Sequence, residues 1–353
     1  MIESGEILRA LAEVTHPAQD DRNLVDLRMV EDIEVTGNKV VVTLGFPKKQ
    51  DPLKDYLTGA VRAAVIRRFP EAEVEVKTVV NEAPPKKQDI RDLTLDGLSS
   101  VRHIIGIASG KGGVGKSTVA VNLAIALARL GYKVGLADAD VYGPSVPMMT
   151  GTEGLSPDAE DTPDGGQIIL PLEKYGVKWM SIGYFARPGQ ALIWRGPMAC
   201  NALKQMILQV RWDELDFLLV DMPPGTGDIH ISLVQDIPME GAVIVTTPQE
   251  VALSDVEKGI DMFRNKNIDR RVFGIVENMA WFTPEQHPDE KYYLFGKDGG
   301  ARMAKCFGVP LLGQIPLVQS ICESGDAGEP AALSTRPDAE AFLALAGKLV
   351  EIV

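Results

Sequence analysis

A glycine-rich stretch, Gly110-Lys111-Gly112-Gly113-Val114-Gly115-Lys116-Ser117-Thr118, constrains this chain more than any other feature. It satisfies G-x-x-x-x-G-K-S. It stands between a short apolar run at 104–108 and a helical pattern marked by Val119, Leu123, Leu127 and Leu130, with Gly131 as the stop. A strand, a tight loop and a helix are therefore expected in that order. Glycines let the backbone wrap a phosphate chain with its N–H groups pointing inward, and the helix N-terminus adds partial positive charge. In such a loop Lys116 would reach the β- and γ-phosphates of a nucleotide, and Ser117 would ligate Mg2+.

From residue 101 onward, short runs rich in Val, Ile and Leu alternate with helical patterns, at 103–108, 134–137, 217–220, 242–245, 272–276 and 311–315. Each run is followed by a Gly, Pro or Asp cluster. Runs of this kind suit strands buried on both faces of a parallel sheet, with the helices as crossovers. The expectation for 101–353 is an α/β fold, a P-loop NTPase with a mostly parallel sheet flanked by helices. Residues 151–169, acidic and rich in Gly and Pro, read as an exposed loop.

Residues 1–80 read as a small α+β domain. Ile7, Leu8, Leu11 and Val14 recur at helical spacing, and Ile33 and Val35 alternate with acids. Gly37-Asn38 supplies a turn, 40–44 a second strand, 57–69 a helix and 74–79 a last strand. Residues 81–100, with Pro84-Pro85-Lys86-Lys87, read as a linker.

The balance of 36 Lys+Arg against 49 Asp+Glu gives a net charge of −13, which argues against broad binding to nucleic acid or anionic membrane. Neither is expected as a partner. Three well-separated cysteines, Cys200, Cys306 and Cys322, cannot form a disulfide framework, so a reducing compartment is the simplest reading. The N-terminal residues lack an apolar signal region, and no stretch is long and apolar enough to span a bilayer. A soluble, cytoplasmic protein is expected.

Two runs end in carboxylates: Asp138-Ala139-Asp140, and Asp221 followed by Met222-Pro223-Pro224-Gly225-Thr226-Gly227-Asp228. Carboxylates at the carboxyl ends of parallel strands lie where ligands bind in open α/β sheets. Asp221 is the natural residue to hold Mg2+ through water. A helix N-cap is the other role open to Asp138 and Asp140.

The loop, with its additional Lys111, resembles the deviant Walker A loop of the family containing ParA, MinD, the nitrogenase iron protein and Mrp. That resemblance implies ATP as the nucleotide and a nucleotide-sandwich homodimer in which Lys111 touches the phosphates across the interface. A solvated loop lysine is its plainer reading. The resemblance also makes Asp140 the carboxylate that orients attacking water. Further strings are similar to the Mrp/ApbC branch: 138–147, Trp194-Arg195-Gly196-Pro197-Met198, Glu277-Asn278-Met279, 295–300 and Gly313-Gln314-Ile315-Pro316-Leu317. The first 80 residues look like the accessory domain that iron–sulfur assembly proteins carry. The chain is thus identified as a member of the Mrp-type iron–sulfur cluster carrier ATPases, with iron–sulfur client or scaffold proteins as partners.

By that resemblance the nucleotide is bound by Gly110, Lys111, Gly112, Gly113, Val114, Gly115, Lys116, Ser117, Thr118, Asn278 and Pro316, with Asn278 at adenine. A turn residue is the other reading of Asn278. The family commonly places Cys-x-x-Cys between the Asn-Met and Phe-Gly segments, yet 281–294 contains no cysteine here. Nor does the segment Gly45-Phe46-Pro47-Lys48 hold the thiol that some relatives place there. Cys200 and Cys306 read as helix residues of the core, and His287 as a surface loop residue. Cys322 is the least improbable cluster ligand. Two readings compete with cluster carriage: a ParA/MinD-like nucleotide switch, and a cluster-free assembly factor.

Overall fold

The computed structural model describes residues 4–17, 22–27, 29–46, 53–80, 95–162, 166–185, 196–284, 286–287 and 289–353. The chain divides into two units, Met1–Lys87 and Gln88–Val353. Most of the expected linker, 81–94, lies outside the described residues, as do Pro47, Lys48, Trp194 and Arg195.

The first unit comprises α1 (Ser4–Leu11), β1 (Val30–Thr36), β2 (Lys39–Phe46), α2 (Lys54–Arg68) and β3 (Glu73–Val80). The central β2 pairs antiparallel with β1 and parallel with β3. Leu57, Val61 and Val65 recur every fourth residue along α2, and with Ile7 and Leu11 they cover Val40, Val42 and Leu44 of β2.

The second unit is built on an eight-stranded sheet in the order β13-β12-β11-β4-β10-β5-β9-β8. Its strands are β4 (Val101–Ala108), β5 (Val134–Asp138), β8 (Leu172–Lys174), β9 (Val177–Ser181), β10 (Leu215–Asp221), β11 (Gly241–Thr246), β12 (Arg271–Glu277) and β13 (Leu311–Gln314). All pair in parallel except the edge strand β8. The helices are α3 (Lys116–Arg129), α4 (Val146–Met149), α5 (Gly196–Leu208), α6 (Asp228–Asp236), α7 (Glu250–Arg264), α8 (Gly299–Phe307), α9 (Gln319–Asp326) and α10 (Pro337–Ile352). Among the described residues no helix is long and apolar enough to cross a membrane.

The helix that follows the glycine loop, α3, is buried along most of its length and packs against α10. Asn122 joins the two ends of this unit. Its Nδ2 donates to Thr118 O at 2.8 Å, and its Oδ1 accepts the Ala332 N–H at 2.7 Å. Arg129 adds a bond to Ser334 O at 2.9 Å.

Three expectations need correction. Residues 151–169 are not simply an exposed loop: β6 (Ala159–Asp161) and β7 (Gln167–Ile169) form a small antiparallel pair. Thr152 is buried, its hydroxyl 2.8 Å from those of Thr150 and Tyr184. The sheet also gains β8 and β9, which the apolar runs did not announce. They are joined through Tyr175 (φ 56°) and Gly176 (φ 76°), the left-handed pair that a two-residue hairpin requires. Finally, Cys306 is exposed on α8 rather than part of the core, because the buried side of that short helix is formed by Gly299, Gly300 and Ala304.

Candidate nucleotide site

The glycine loop connects the central strand β4 to α3 at the carboxyl edge of the sheet. Gly115 adopts a left-handed conformation (φ 76°) and caps α3, its carbonyl accepting the Val119 N–H at 3.0 Å. A Cβ there would fall on Asn278 Nδ2, and a Cβ on Gly110 would fall on the Asp255 backbone carbonyl. At Gly110 the obstacle is main chain and excludes a side chain outright, whereas at Gly115 it is the tip of Asn278, which could yield only by giving up its own hydrogen bond. The loop encloses a cavity of about 220 Å³ lined by Lys111, Lys116, Ser117, Thr118, Asp140 and Pro224, among others. Lys111 is exposed, whereas Lys116 is 6% exposed.

Strand register sets the electrostatics beneath this cavity. Asp221, the last residue of β10, lies level with Asp138 at the end of β5 and with Ile107 of β4. Two fully buried carboxylates thus stand on adjacent strands. Asp221 Oδ1 pairs with Lys116 Nζ at 2.5 Å, while among the described residues the buried Asp221 Oδ2 has no hydrogen-bond partner. An unpartnered anionic oxygen in a buried site is costly unless a cation or an ordered water reaches it. Beside Ser117, it fits a hydrated divalent cation.

Burial is the main force on both carboxyls, and it raises both. Asp221 is raised even though the Lys116 charge opposes the shift. Asp138 is pushed up to about 7, first by burial and then by the Asp221 charge, against hydrogen bonds from Ser181 and Asp140. Its Oδ1 accepts the Asp140 N–H at 3.1 Å. Its Oδ2 accepts the Ser181 hydroxyl at 2.9 Å and the Val146 N–H at 3.3 Å. Asp138 therefore organises the loop that carries Asp140, close to the capping role open to it from the sequence.

A pH dependence follows with a definite sign. Between the ordinary 3.8 and about 7, the folded state retains a proton at Asp138 that the unfolded chain releases. Stability therefore falls as pH rises through that window, with a slope of up to about 1.4 kcal/mol per pH unit. Asp138→Asn should remove this component, measured by denaturant unfolding at pH 5 and pH 7. Equal slopes in the two proteins would refute it.

Asp140 is half-buried and lines the phosphate cavity. Asn278 follows β12, is 6% exposed, and donates from Nδ2 to Val114 O at 2.9 Å. The preceding residue, Glu277, is fully buried and accepts from the Gly300 N–H and from Gln314 Nε2, so the strand end beneath Asn278 is held on both sides. A second cavity of about 280 Å³ is lined by Asn278, Met279, Pro316 and Cys322. It shares Gly115, Thr118 and Met149 with the phosphate cavity. Met149 was not singled out in the sequence, and Ser145 and Pro224 were visible there only as parts of longer strings. A larger groove of about 670 Å³ opens at the opposite strand ends. Its charged groups neutralise one another, as in Lys133–Glu214 at 3.2 Å and Lys178–Asp213 at 2.5 Å.

The cysteines do not converge. Cys200 is half-buried on α5, and Cys306 and Cys322 are exposed on α8 and α9. The Cys322 thiol lies 3.9 Å from Asp326 Oδ2. His287 is exposed, 3.7 Å from Glu290. Among the described residues, no three His, Cys, Asp or Glu side chains form a group that could hold a metal ion.

A family model described as NUBPL iron-transfer P-loop NTPase matches residues 100–350, and one described as iron-sulfur cluster assembly protein matches residues 5–78. An iron-sulfur cluster carrier protein from Synechocystis sp. is 44% identical over 94% of this chain and 93% of its own length. Another from Aquifex aeolicus is 45% identical over the same shares. The structure of a nucleotide-binding protein from Archaeoglobus fulgidus in complex with ADP is 34% identical, with a TM-score of 0.60, and covers 72% of this chain and 97% of its own. With the loop, the sheet order and the carboxylate register in place, the chain belongs to the NUBPL iron-transfer P-loop NTPase family.

Proposed function

We propose that this protein is an Mg2+-dependent, cytoplasmic ATPase that works as a homodimer and binds, carries or helps assemble iron–sulfur clusters for client proteins. Residues 101–353 form the ATPase domain, joined through 81–100 to an accessory domain at 1–80. The observation that carries the ATPase reading is the buried, unpartnered Asp221 Oδ2 beside Lys116 at the foot of the phosphate cavity. The cluster reading is supported by relatives that are themselves named iron-sulfur cluster carrier proteins.

The main-chain N–H groups of 110–118 and Lys116 bind the β- and γ-phosphates. Ser117 and, through water, Asp221 would hold Mg2+, which when bound neutralises charge on the phosphate oxygens. Asp140 faces the phosphate cavity and orients the attacking water. Lys111, exposed at the loop tip, is available to the nucleotide of a second copy. Asn278 and Pro316 border the adjoining cavity, which takes the base. With Nδ2 committed to Val114, Asn278 Oδ1 is the atom available to the exocyclic amine of adenine.

The cluster is cargo here, and Cys322 is its candidate ligand. Cys322 borders the base cavity, so a cluster held there would compete with a nucleotide. The missing cysteines of 281–294 favour a second reading, an assembly factor switched by nucleotide and free of cluster. Anaerobic reconstitution with iron and sulfide separates the two. A visible chromophore with stoichiometric iron, lost in Cys200→Ala, Cys306→Ala or Cys322→Ala, is the outcome expected of a carrier. Intact ATP hydrolysis without bound iron would sink direct carriage and leave the switch.

A further inference from the structure

The stretch between Asp221 and α6 reads Met222-Pro223-Pro224-Gly225-Thr226-Gly227. It begins at the carboxylate beneath the phosphate cavity, and Pro224 forms part of the cavity wall across from Gly112. Two successive prolines have no N–H to donate. Beyond the packing of the buried Met222 and Pro223, hydrogen bonds can therefore fix the segment only through amides at its ends and donors reaching its carbonyls. Met222 N–H donates to Ile107 O at 3.0 Å, and Gly225 N–H donates to Ser109 O at 3.0 Å. Between these ties, among the described residues, one side chain reaches the segment: His230 Nε2–H donates to Pro223 O at 2.6 Å.

His230 is 2% exposed and lies in the first turn of α6, its own N–H bonded to Gly227 O at 3.0 Å. Burial lowers the tendency of this imidazole to take up a second proton. A neutral imidazole has a single N–H, and a carbonyl partner requires that hydrogen on Nε2.

We infer that His230 is a positioning residue of the phosphate site: its bond to the Pro223 carbonyl fixes the Pro223-Pro224 wall against the glycine loop and aligns Asp221 for hydrolysis. It acts through the wall and touches no nucleotide. The role in hydrolysis rests on the ATPase reading above. The anchoring of the wall does not, and it can be measured without nucleotide.

The test uses the full chain and two substitutions. Gln can present an amide N–H close to the position of Nε2, whereas Leu fills similar space with no donor. In His230→Leu, kcat for ATP should fall about tenfold, the loss expected for one well-aligned hydrogen bond, while KM stays within about twofold. Amide hydrogen exchange across 222–227 should accelerate several-fold in the nucleotide-free protein, reporting a local opening. His230→Gln should recover both. Unchanged kcat and exchange in His230→Leu would overturn the inference. So would equal impairment of the Leu and Gln variants, which would make the imidazole's shape, not its bond, the relevant property. If the unsubstituted protein hydrolyses no ATP, the functional reading falls and the role in hydrolysis with it. The exchange data then decide the anchor separately.

Discussion

Lys116→Ala should abolish ATP hydrolysis, by about 100-fold or more if one preorganised charge on the phosphates is lost. It should also lower the melting temperature of the nucleotide-free protein. The second effect comes from the pair described above. Lys116 is the counter-charge of Asp221, and both side chains are buried. Removing one partner of a buried ion pair leaves the other uncompensated, at about 3–5 kcal/mol. Asp221 can relieve part of this by taking up a proton, because burial already raises its carboxyl. The destabilisation should therefore deepen as pH rises. The double substitution Lys116→Ala with Asp221→Asn removes both charges, and it should recover most of the stability and none of the activity. Thermal unfolding and phosphate release on the three proteins decide the matter. An unchanged melting temperature in Lys116→Ala would mean that the pair is not formed in solution.

Gly115→Ala is the second large effect. The residue sits at φ 76°, where an alanine is strained by about 1–2 kcal/mol, and its Cβ would collide with Asn278 Nδ2. That nitrogen is the donor to Val114 O, so the collision breaks the tie between the glycine loop and the end of β12. Gly113→Ala is the matched control, since Gly113 is also left-handed (φ 82°) but has open space where its Cβ would go. The nucleotide-free protein should lose about 1–2 kcal/mol more stability in Gly115→Ala than in Gly113→Ala, the contribution of the collision and the hydrogen bond it breaks. Denaturant unfolding of the two variants beside the unsubstituted protein measures this directly. Equal losses would place the whole effect in backbone strain and remove Asn278 from the argument.

The parts of the molecule that were legible in the sequence are those where one physical demand dominates. Strands β4, β5, β10, β11 and β12 lie within the sheet and are largely buried, so nearly continuous runs of Val, Ile and Leu mark them, and the edge strand β13 shows only a shorter run around the buried Leu312. Strand β9 is almost as buried, but its run is broken by Lys178. That side chain is satisfied by Trp212 O at 3.0 Å and Asp213 at 2.5 Å, partners that only the fold brings near. Glycine-loop chemistry was readable because its spacing is short and local. The partnership of Asp138 with Ser181 spans 43 positions and depends on the register of β5 against β9, which periodicity does not carry. The exposure of Cys306 was missed for a related reason. A short amphipathic helix shows its period but not which neighbour it faces, and here Gly300 lets Glu277 of β12 approach closely while Gly299 does the same for Pro248 and Leu253.

The clasp at Asn122 has a consequence for the order in which this site comes into being. The helix leading from the glycine loop is made early in its unit, yet the amide that Asn122 accepts belongs to Ala332, 210 positions later. The helix that covers α3 lies later still. Until that distant segment arrives, much of α3 lacks its apolar cover, and the loop it supports has no fixed base. Contacts of such long sequence separation are slow to close because loop entropy is lost before they reward it. On a growing polypeptide, the phosphate cradle is therefore among the first parts of its unit to be synthesised and among the last to mature.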